Sequence, residues 1–311
     1  MISAGLLALG LALLYFGAEW LVHGATRLAR LLGMRPFVIG LTLVAYGTSM
    51  PEAVVSALAA VQGKSEIAIG NVIGSNIANI GLILGITALI MPIAVQGRLI
   101  RREIPVLVIS AVLVPLLLWD GVITRVEAGF LLLATALFTY AVTRQADADP
   151  DDDAEFAGPV EGGRLRYCLL SLAGLLTLMA GGKAFVDGAS GLALALGITE
   201  RVIGLTVVAA GTSAPELAAS IVAAVRGHSA VAVGNVIGSN IFNTLFVLGT
   251  AGALHPIFGN LETMSVDLIG LAVFTIAGAV MVGWERHITR WEGAVLLAGY
   301  AGFIWWIVAH P

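Results

Sequence analysis

The chain has 311 residues, of which 59% are hydrophobic and only 12% charged, with a formal net charge of −4 and a mean hydropathy of +0.97. No soluble domain of this length could bury so much apolar surface in a single core, so the composition excludes a soluble protein. We predict a polytopic membrane protein surrounded by the lipid bilayer, and we expect no nucleic-acid partner.

Ten apolar runs follow one another along the chain, and each is close to or longer than the roughly 17 to 25 residues with which a helix crosses a bilayer core of roughly 30 Å. Helices are expected because a span must satisfy its backbone polar groups internally, whereas barrel strands would be shorter and would alternate polar with apolar residues. The predicted spans cover residues 4–22, 37–61, 67–92, 104–119, 126–143, 166–196, 202–225, 231–254, 265–284 and 291–309. The predicted fold class is all-α, with ten transmembrane helices.

The stretch from residue 38 to residue 85 occurs twice, because adding 164 to each number leads without a gap to a second copy at 202–249. Of the 48 aligned pairs, 30 are identical, including GTSMPE with GTSAPE, and GNVIGSN in both copies. The similarity extends to the helix before each copy, so each half begins with an equivalent span. Five spans per half is an odd number, so the second half must enter the membrane in the opposite sense, as in the inverted repeats of many secondary transporters.

An acidic stretch separates the two halves. Residues 144–164 contain seven Asp or Glu side chains, and we interpret them as a flexible cytoplasmic linker. A weak cation-attracting or regulatory role is the alternative, although the spacing does not fit a calcium loop of the EF-hand type. The predicted organisation is a first inverted repeat at 1–143, the linker at 144–164, and a second inverted repeat at 165–311.

The basic residues predict how the chain is oriented. Twelve of the 16 Lys and Arg residues fall in alternate loops on one side, against four on the other, and the positive-inside rule places the richer side in the cytoplasm. We therefore expect a multi-pass protein of the plasma (inner) membrane with both termini outside the cytoplasm. The single cysteine, Cys168, excludes an intramolecular disulfide.

Both copies place a glutamate, Glu52 or Glu216, inside very apolar sequence. A charge in hydrocarbon is costly, so a glutamate in both copies calls for a compensating partner, and a cation is the obvious one. Each glutamate shares a turn of chain with a threonine and a serine, namely Thr48 and Ser49 in the first copy and Thr212 and Ser213 in the second. Their hydroxyl, carbonyl and carboxylate oxygens suit sodium or calcium rather than copper or zinc.

The glycine and proline of each GTSxPE motif predict a break in the helix. Pro51 lacks an amide hydrogen and clashes with the preceding turn, so we expect a kink that frees carbonyl oxygens. Carbonyls near Ala45 and Thr48 could then ligate an ion, as could those near Ala209 and Thr212 in the second copy.

A further group of oxygens lies on the span that follows each motif. Asn71, Ser75 and Asn79 are spaced by four residues and share one helical face, as do Asn235, Ser239 and Asn243. Such a face could complete an ion site from across the helix pair. The alternative is that these serines and asparagines are interhelical hydrogen-bond glue and that the glycines of GNVIGSN serve close helix packing.

The duplicated GTSxPE and GNVIGSN segments resemble the two alpha-repeats of the sodium/calcium exchanger family, in the calcium/cation antiporter superfamily, and indicate a prokaryotic member. The resemblance covers nearly the whole chain and implies ten transmembrane helices in two inverted halves. It also implies a secondary transporter rather than an enzyme, which exchanges sodium for calcium. The transported ions would be its ligands, with no cofactor and no obligate protein partner.

By this resemblance, Glu52 and Glu216 would ligate calcium in the middle of the membrane, together with the backbone carbonyls of Thr48 and Thr212. Sodium would use overlapping oxygens. One sodium site would use Ser49, Ser75, Thr48 and the Ala45 carbonyl, its counterpart Ser213, Ser239, Thr212 and the Ala209 carbonyl, and Asn79 and Asn243 would flank the glutamates.

One departure from the family concerns Asn243, because some prokaryotic exchangers and the potassium-dependent branch have an aspartate there. Asparagine lowers the case for potassium co-transport and leaves two deep carboxylates. One calcium ion would neutralise them, whereas three sodium ions would leave a charge of about plus one. Exchange would then be electrogenic, and a negative interior would favour calcium extrusion.

Antiport is expected because the same glutamates cannot serve both ions at once, provided that only occupied states reorient. Proton/calcium exchange stays open as an alternative, since two carboxylates that repel each other can take up protons. A cation channel would usually assemble its pore from several subunits and would not need inverted halves. An intramembrane enzyme would need a nucleophile with a base, and the hydroxyls here have no histidine or lysine alongside.

Overall fold

The computed structural model describes residues 2–94, 97–144, 162–197, 209–284 and 287–309, which form helices joined by short loops and two-residue strands. The helices are α1 (Ile2–Leu32), α2 (Pro36–Thr48), α3 (Met50–Val61), α4 (Ser65–Ile90), α5 (Gly97–Leu117), α6 (Arg125–Arg144), α7 (Arg164–Ala195), α8 (Ala209–Thr212), α9 (Ala214–Val225), α10 (Ser229–Leu254), α11 (Ser265–Trp284) and α12 (Arg290–Ala309).

Seven of these helices are long and apolar enough to cross a bilayer, and α2 with α3 makes an eighth span if the bent pair is taken as one. The predicted break in the second span is present, because α2 ends at Thr48, α3 begins at Met50, and the two are bent by 42°. The all-α polytopic fold class is confirmed to this extent.

Two of the ten predicted spans are not among these eight. The fourth, 104–119, overlaps α5, whose first turns carry three arginines and a glutamate and so leave too short an apolar stretch. The seventh, 202–225, lies partly outside the described residues, as does most of the predicted linker at 144–164. The count of ten therefore stays a prediction.

Helices α1 and α7 pack against each other in antiparallel sense. Their contact is lined by glycines at seven-residue spacing, Gly10, Gly17 and Gly24 on α1 and Gly174, Gly181 and Gly188 on α7. A Cβ on Gly17 would lie 2.7 Å from the backbone nitrogen of Leu178, so only glycine permits this approach. Small residues suit helix pairs in lipid, where association depends on close packing. Since the two glycine series are related by the offset of 164, the contact joins equivalent helices of the two halves.

Four short strands in the loops form two antiparallel pairs. β1 (Ile93–Ala94) pairs antiparallel with β4 (His287–Ile288), and β2 (Val122–Ile123) pairs antiparallel with β3 (Ile257–Phe258). Each pair thus contains one strand from either side of the predicted linker.

The centre of the molecule is formed by α4 and α10, which carry the two GNVIGSN motifs. In their most apolar stretches 72% and 94% of the residues are buried, more than in the other five unbroken spans that the structure describes. Both helices contain a π-helical stretch, which begins at Asn79 in α4 and at Asn243 in α10. A third π-helical stretch in α2 ends at Val44, directly before Ala45. Such insertions are frequent at functional sites, because they displace backbone and side chains from the regular helical path.

Candidate cation-binding site

The helix breaks place both glutamates in equivalent positions. Glu52 lies in the first turn of α3 and Glu216 in the first turn of α9, each one residue after the proline of its motif. Both side chains are only 1% exposed. The N-terminus of a helix has unpaired amide groups and a positive dipole end, which favour a carboxylate. Breaking the helix before the glutamate therefore offsets part of the cost of burying its charge.

The two motifs meet in one place. The Ser213 hydroxyl donates to the Glu52 carboxylate over 3.2 Å, and the same carboxyl group faces the Thr212 hydroxyl. The Glu216 carboxyl group in turn faces the hydroxyls of Thr48 and Ser49. Each glutamate is thus surrounded by the threonine and serine of the other copy, and the two copies build one site rather than two.

The following helices close the site from the side. Ser75 and Asn79 on α4, and Ser239 and Asn243 on α10, are all buried, as the predicted helical face requires. Asn79 donates from its amide nitrogen to the Asn240 side-chain oxygen over 3.4 Å, so its own oxygen points elsewhere. A hydrogen bond of this length is weak, and it leaves the amide able to adjust.

Six buried oxygens of the predicted site residues have no hydrogen-bond partner within the described part of the chain. They are Ser49 Oγ, Glu52 Oε2, Asn79 Oδ1, Glu216 Oε2, Ser239 Oγ and Asn243 Oδ1. A buried oxygen without a partner is costly and rare in folded proteins, so six around two carboxylates call for a ligand. Sodium and calcium are bound by such hard oxygen donors.

The site lacks the donors that transition metals prefer. Among the described residues there is no group of three or more His, Cys, Asp or Glu side chains that could hold a metal ion. The donors here are carboxylate, amide and hydroxyl oxygens, which favour hard cations over zinc or copper.

The predicted backbone ligands are less simply placed. The Ala45 carbonyl accepts from the Ser49 amide over 3.0 Å and from the Thr48 hydroxyl over 3.3 Å, so the break does not leave it free. An ion at this carbonyl would compete with the Thr48 hydroxyl. Thr212 is half-buried, and Ala209 begins the described part of α8, its side chain lying outside the described set.

A cavity reaches the site from one side. It has a volume of about 350 Å³ and lies between α3, α7 and the break between α8 and α9, with Thr212 and both motif prolines, Pro51 and Pro215, in its wall. At its rim, Lys183 and Asp187 of α7 form an exposed ion pair of 3.3 Å. The cavity thus places open space beside Thr212, one of the predicted site residues.

Several polar residues that surround the predicted ligands were not singled out by the sequence. Ser56 and Ser220 lie one turn after the glutamates and accept hydrogen bonds of 2.9 Å from Asn71 and Asn235. Asn76 and Asn240 also face the centre, where Asn76 donates to Thr244 over 3.1 Å. The signal was available for four of them, because both serines and both asparagines are identical between the aligned copies.

Comparison with known proteins matches this chain to one family. The family model described as "Sodium/calcium exchanger protein" matches it twice, at residues 2–144 and 167–309. A putative antiporter CaxA of Alkalimonas amylolytica is 40% identical over 304 residues, which are 94% of this chain and 95% of the relative. The sodium/calcium exchanger MaX1 of Methanosarcina acetivorans is 34% identical over 341 aligned positions, with 96% of both chains covered.

A solved structure of a sodium-calcium exchanger also resembles this chain over its whole length. The sodium-calcium exchanger NCX_Mj, soaked with sodium and calcium, superposes with a TM-score of 0.84 at 34% sequence identity. The alignment covers 100% of this chain and 99% of NCX_Mj.

Proposed function

The chain belongs to the sodium/calcium exchanger family, and from this we propose that it is a secondary antiporter that exchanges sodium for calcium by alternating access. The observation that carries the proposal is the single site in which two buried glutamates each face the Thr-Ser pair of the other copy, amid six buried oxygens without partners. Two carboxylates balance one calcium ion, and the surrounding neutral oxygens can complete its coordination.

The proposed calcium ligands are Glu52 and Glu216 with the backbone carbonyls of Thr48 and Thr212. Sodium would use overlapping oxygens on either side. The two flanking sodium sites would consist of Ser49, Ser75 and the Ala45 carbonyl on one side and Ser213, Ser239 and the Ala209 carbonyl on the other, with Asn79 and Asn243 between them. The burial of both glutamates, all four serines and both asparagines supports this assignment.

The proposed architecture has ten spans in two inverted halves, 1–143 and 165–311, joined by the acidic linker. Three observations support it. The family model matches the chain twice, equivalent helices α1 and α7 pack antiparallel through equivalent glycines, and each strand pair joins one half to the other. In such an arrangement two similar structures of opposite orientation can open the same site to either side of the membrane.

Alternating access is supported by a difference between the two sides of the site. The cavity opens beside Lys183, whereas toward the other end of the antiparallel α1–α7 pair Glu19 of α1 accepts from Arg226, directly after α9, over 2.7 Å. The repeat equivalents of Glu19 and Arg226 are Lys183 and Gln62, which cannot form this ion pair. With the orientation predicted from the loop charges, the cavity faces outside and the Glu19–Arg226 contact holds the cytoplasmic side closed.

Exchange of three sodium ions for one calcium ion would move net charge. With Asn243 neutral, the site holds two carboxylates, so calcium occupancy is neutral and occupancy by three sodium ions leaves about plus one. Each net charge moved is worth about 2.3 kcal/mol per 100 mV, so a negative interior drives calcium out of the cell across the inner membrane.

The proposal is tested by radioactive calcium flux in proteoliposomes, driven in turn by sodium, proton and potassium gradients. We expect uptake into sodium-loaded vesicles, stimulated by an inside-positive potential, and no uptake without a counter-ion. Uptake driven by a proton gradient alone would replace sodium coupling with proton coupling. Uptake that ignores every counter-ion gradient would indicate a channel.

A further inference from the structure

We propose that Asn235 is a positioning residue for the exchange site. It holds the turn of the first copy that contains Thr48 against the turn of the second copy that contains Glu216, and it thereby favours sodium binding. Asn235 lies on α10 and is fully buried. The inference rests on the proposed function, and it concerns a residue outside the proposed ligand set.

Three contacts converge on this one amide group. Its nitrogen donates to the Glu216 backbone carbonyl over 3.3 Å and to the Ser220 hydroxyl over 2.9 Å. Its oxygen accepts from the Thr48 hydroxyl over 3.3 Å. Asn235 therefore links the last turn of α2, which belongs to the first copy, with the first turns of α9, which belong to the second.

The side chain is suited to this task because an amide supplies two donors and an acceptor in one plane. A carboxylate would offer only acceptors, and an apolar side chain would offer neither. The nitrogen contacts recur in the first copy, where Asn71 donates to the Glu52 carbonyl over 3.2 Å and to Ser56 over 2.9 Å. The repetition of both distances shows that fixing the glutamate turn is a general feature of the site.

The contact between the Asn235 oxygen and the Thr48 hydroxyl affects how the Ala45 carbonyl can bind sodium. The Thr48 hydroxyl has one hydrogen, and besides the Glu216 carboxyl group it has three acceptors within reach, the carbonyls of Val44 and Ala45 and the Asn235 oxygen. If the Ala45 carbonyl binds a cation, the hydroxyl hydrogen must leave it. Asn235 offers an acceptor beyond the helix itself, so the Ala45 oxygen can turn to sodium while Thr48 stays satisfied.

This role predicts an effect on one ion more than on the other. Calcium would be held mainly by Glu52 and Glu216, whereas sodium would also need the Ala45 carbonyl. Replacing Asn235 removes the neutral acceptor that lies outside α2 and leaves the hydroxyl hydrogen to the Val44 and Ala45 carbonyls and the Glu216 carboxyl group. We therefore expect Asn235→Leu to raise the half-saturating sodium concentration about three- to tenfold, the range for a lost buried hydrogen bond. The half-saturating calcium concentration should rise by a clearly smaller factor than the sodium value, because the loss of the nitrogen contacts loosens the Glu216 turn but leaves both carboxylates in the site.

The experiment measures both half-saturating concentrations for wild type, Asn235→Leu and Thr48→Val, and for the two combined. If Asn235 acts through the Thr48 hydroxyl, Thr48→Val alone should raise the sodium value, and Asn235→Leu should add little to it. Ser220→Ala is the matched control, because it removes a packing partner of the same amide but leaves the Thr48 contact. It should leave the sodium value within about twofold. If Asn235→Leu does not fold, Asn235→Ala carries the same expectation.

Equal changes in the sodium and calcium values, or additive effects of Asn235→Leu and Thr48→Val, would show that Asn235 serves only to hold the helices together and would overturn the inference. A wild-type protein without sodium-driven calcium uptake would instead overturn the proposed function. The two failures are therefore distinguishable in the same set of measurements.

Discussion

Glu52 and Glu216 are the two residues on which the proposed site depends most. Each is 1% exposed, each begins a helix, and each has one carboxylate oxygen without a partner in the described part of the chain. Among the described residues Glu103 Oε2 also lacks a partner, but the unpartnered oxygens of Glu52 and Glu216 lie in one candidate site with four further unpartnered oxygens, and buried oxygens are normally satisfied by the protein. The unmatched oxygens are better explained by an ion that comes and goes.

Replacing either glutamate by glutamine should abolish calcium transport. Glu52→Gln or Glu216→Gln removes a charged ligand, so sodium-driven calcium uptake should fall by about 100-fold or more, as calcium affinity depends strongly on ligand charge. The matched control is Glu103→Gln, since Glu103 is also a buried glutamate, on α5. Uptake by the control should stay within about twofold, and normal uptake by Glu52→Gln would refute the site.

Asn243→Asp tests the charge of the site. A third buried carboxylate close to the other two raises the affinity of the site for protons, because like charges favour the protonated form. We expect calcium uptake by this variant to decline more steeply than wild-type uptake as the pH falls from 8 to 6 (roughly the range over which such carboxylates titrate). A pH profile identical to that of wild type would show that residue 243 lies too far from the ions to matter.

Helices α1 and α7 pack against each other through two series of glycines. Their glycines recur every seven residues, which in the sequence looks like ordinary membrane-helix composition. Only the antiparallel contact shows that both series face each other, with Gly17 beside Leu178 and Gly24 beside Ser171. The pair borders the cavity through α7 and contacts Arg226, directly after α9, through Glu19, so movement of this pair would change access on both sides.

Gly17→Ala should therefore disturb the protein more than the same change elsewhere on α1. The new methyl group would lie 2.7 Å from backbone, and such overpacking costs about 1–3 kcal/mol. We expect a lower thermal unfolding midpoint and slower calcium uptake. Gly5→Ala is the control, because a Cβ there has no atom within 4 Å. Equal midpoints for both variants would contradict the close packing of α1 and α7.

In the proposed arrangement, two similar halves form one site whose two sides are unequal. Tyr46 packs against Phe242 and Phe246 with ring centroids 5.4 and 4.6 Å apart. These rings have no aromatic equivalents in the repeat. Tyr46 of the first copy aligns with Ala210 of the second, and Phe242 of the second copy aligns with Ala78 of the first. The ligand set is nearly symmetric, but the surroundings are not, so the two access routes differ in shape.

The orientation of the molecule can be tested by labelling single cysteines. In a Cys168→Ser background, Lys64→Cys should react in intact cells with a maleimide that does not cross membranes, because its loop is predicted to lie outside. Arg290→Cys, on the predicted cytoplasmic side, should react only after the cells are opened. The reverse pattern would invert the orientation and place both termini in the cytoplasm.

Much of the site could be predicted from the sequence because its signals are local. The repeat, the buried glutamates and the helix-breaking prolines can be found without coordinates, since they depend on residue type and on spacing within a few turns. The fourth span shows the limit, because only the part of α5 after Glu103 is apolar and the helix ends at Leu117, two residues before the end of the predicted run.

The amino-acid sequence alone is enough to show a duplicated membrane protein with a glutamate in each copy, because composition and identity between copies can be read without coordinates. The contacts between hydroxyls and their partners follow only from the tertiary structure. Ser213 and Glu52 are 161 positions apart in the sequence, and Thr48 and Asn235 are 187 apart. The tertiary structure also decided which oxygens lack partners and which side of the site has a cavity. Such contacts depend on how the two halves pack, and no local pattern encodes that.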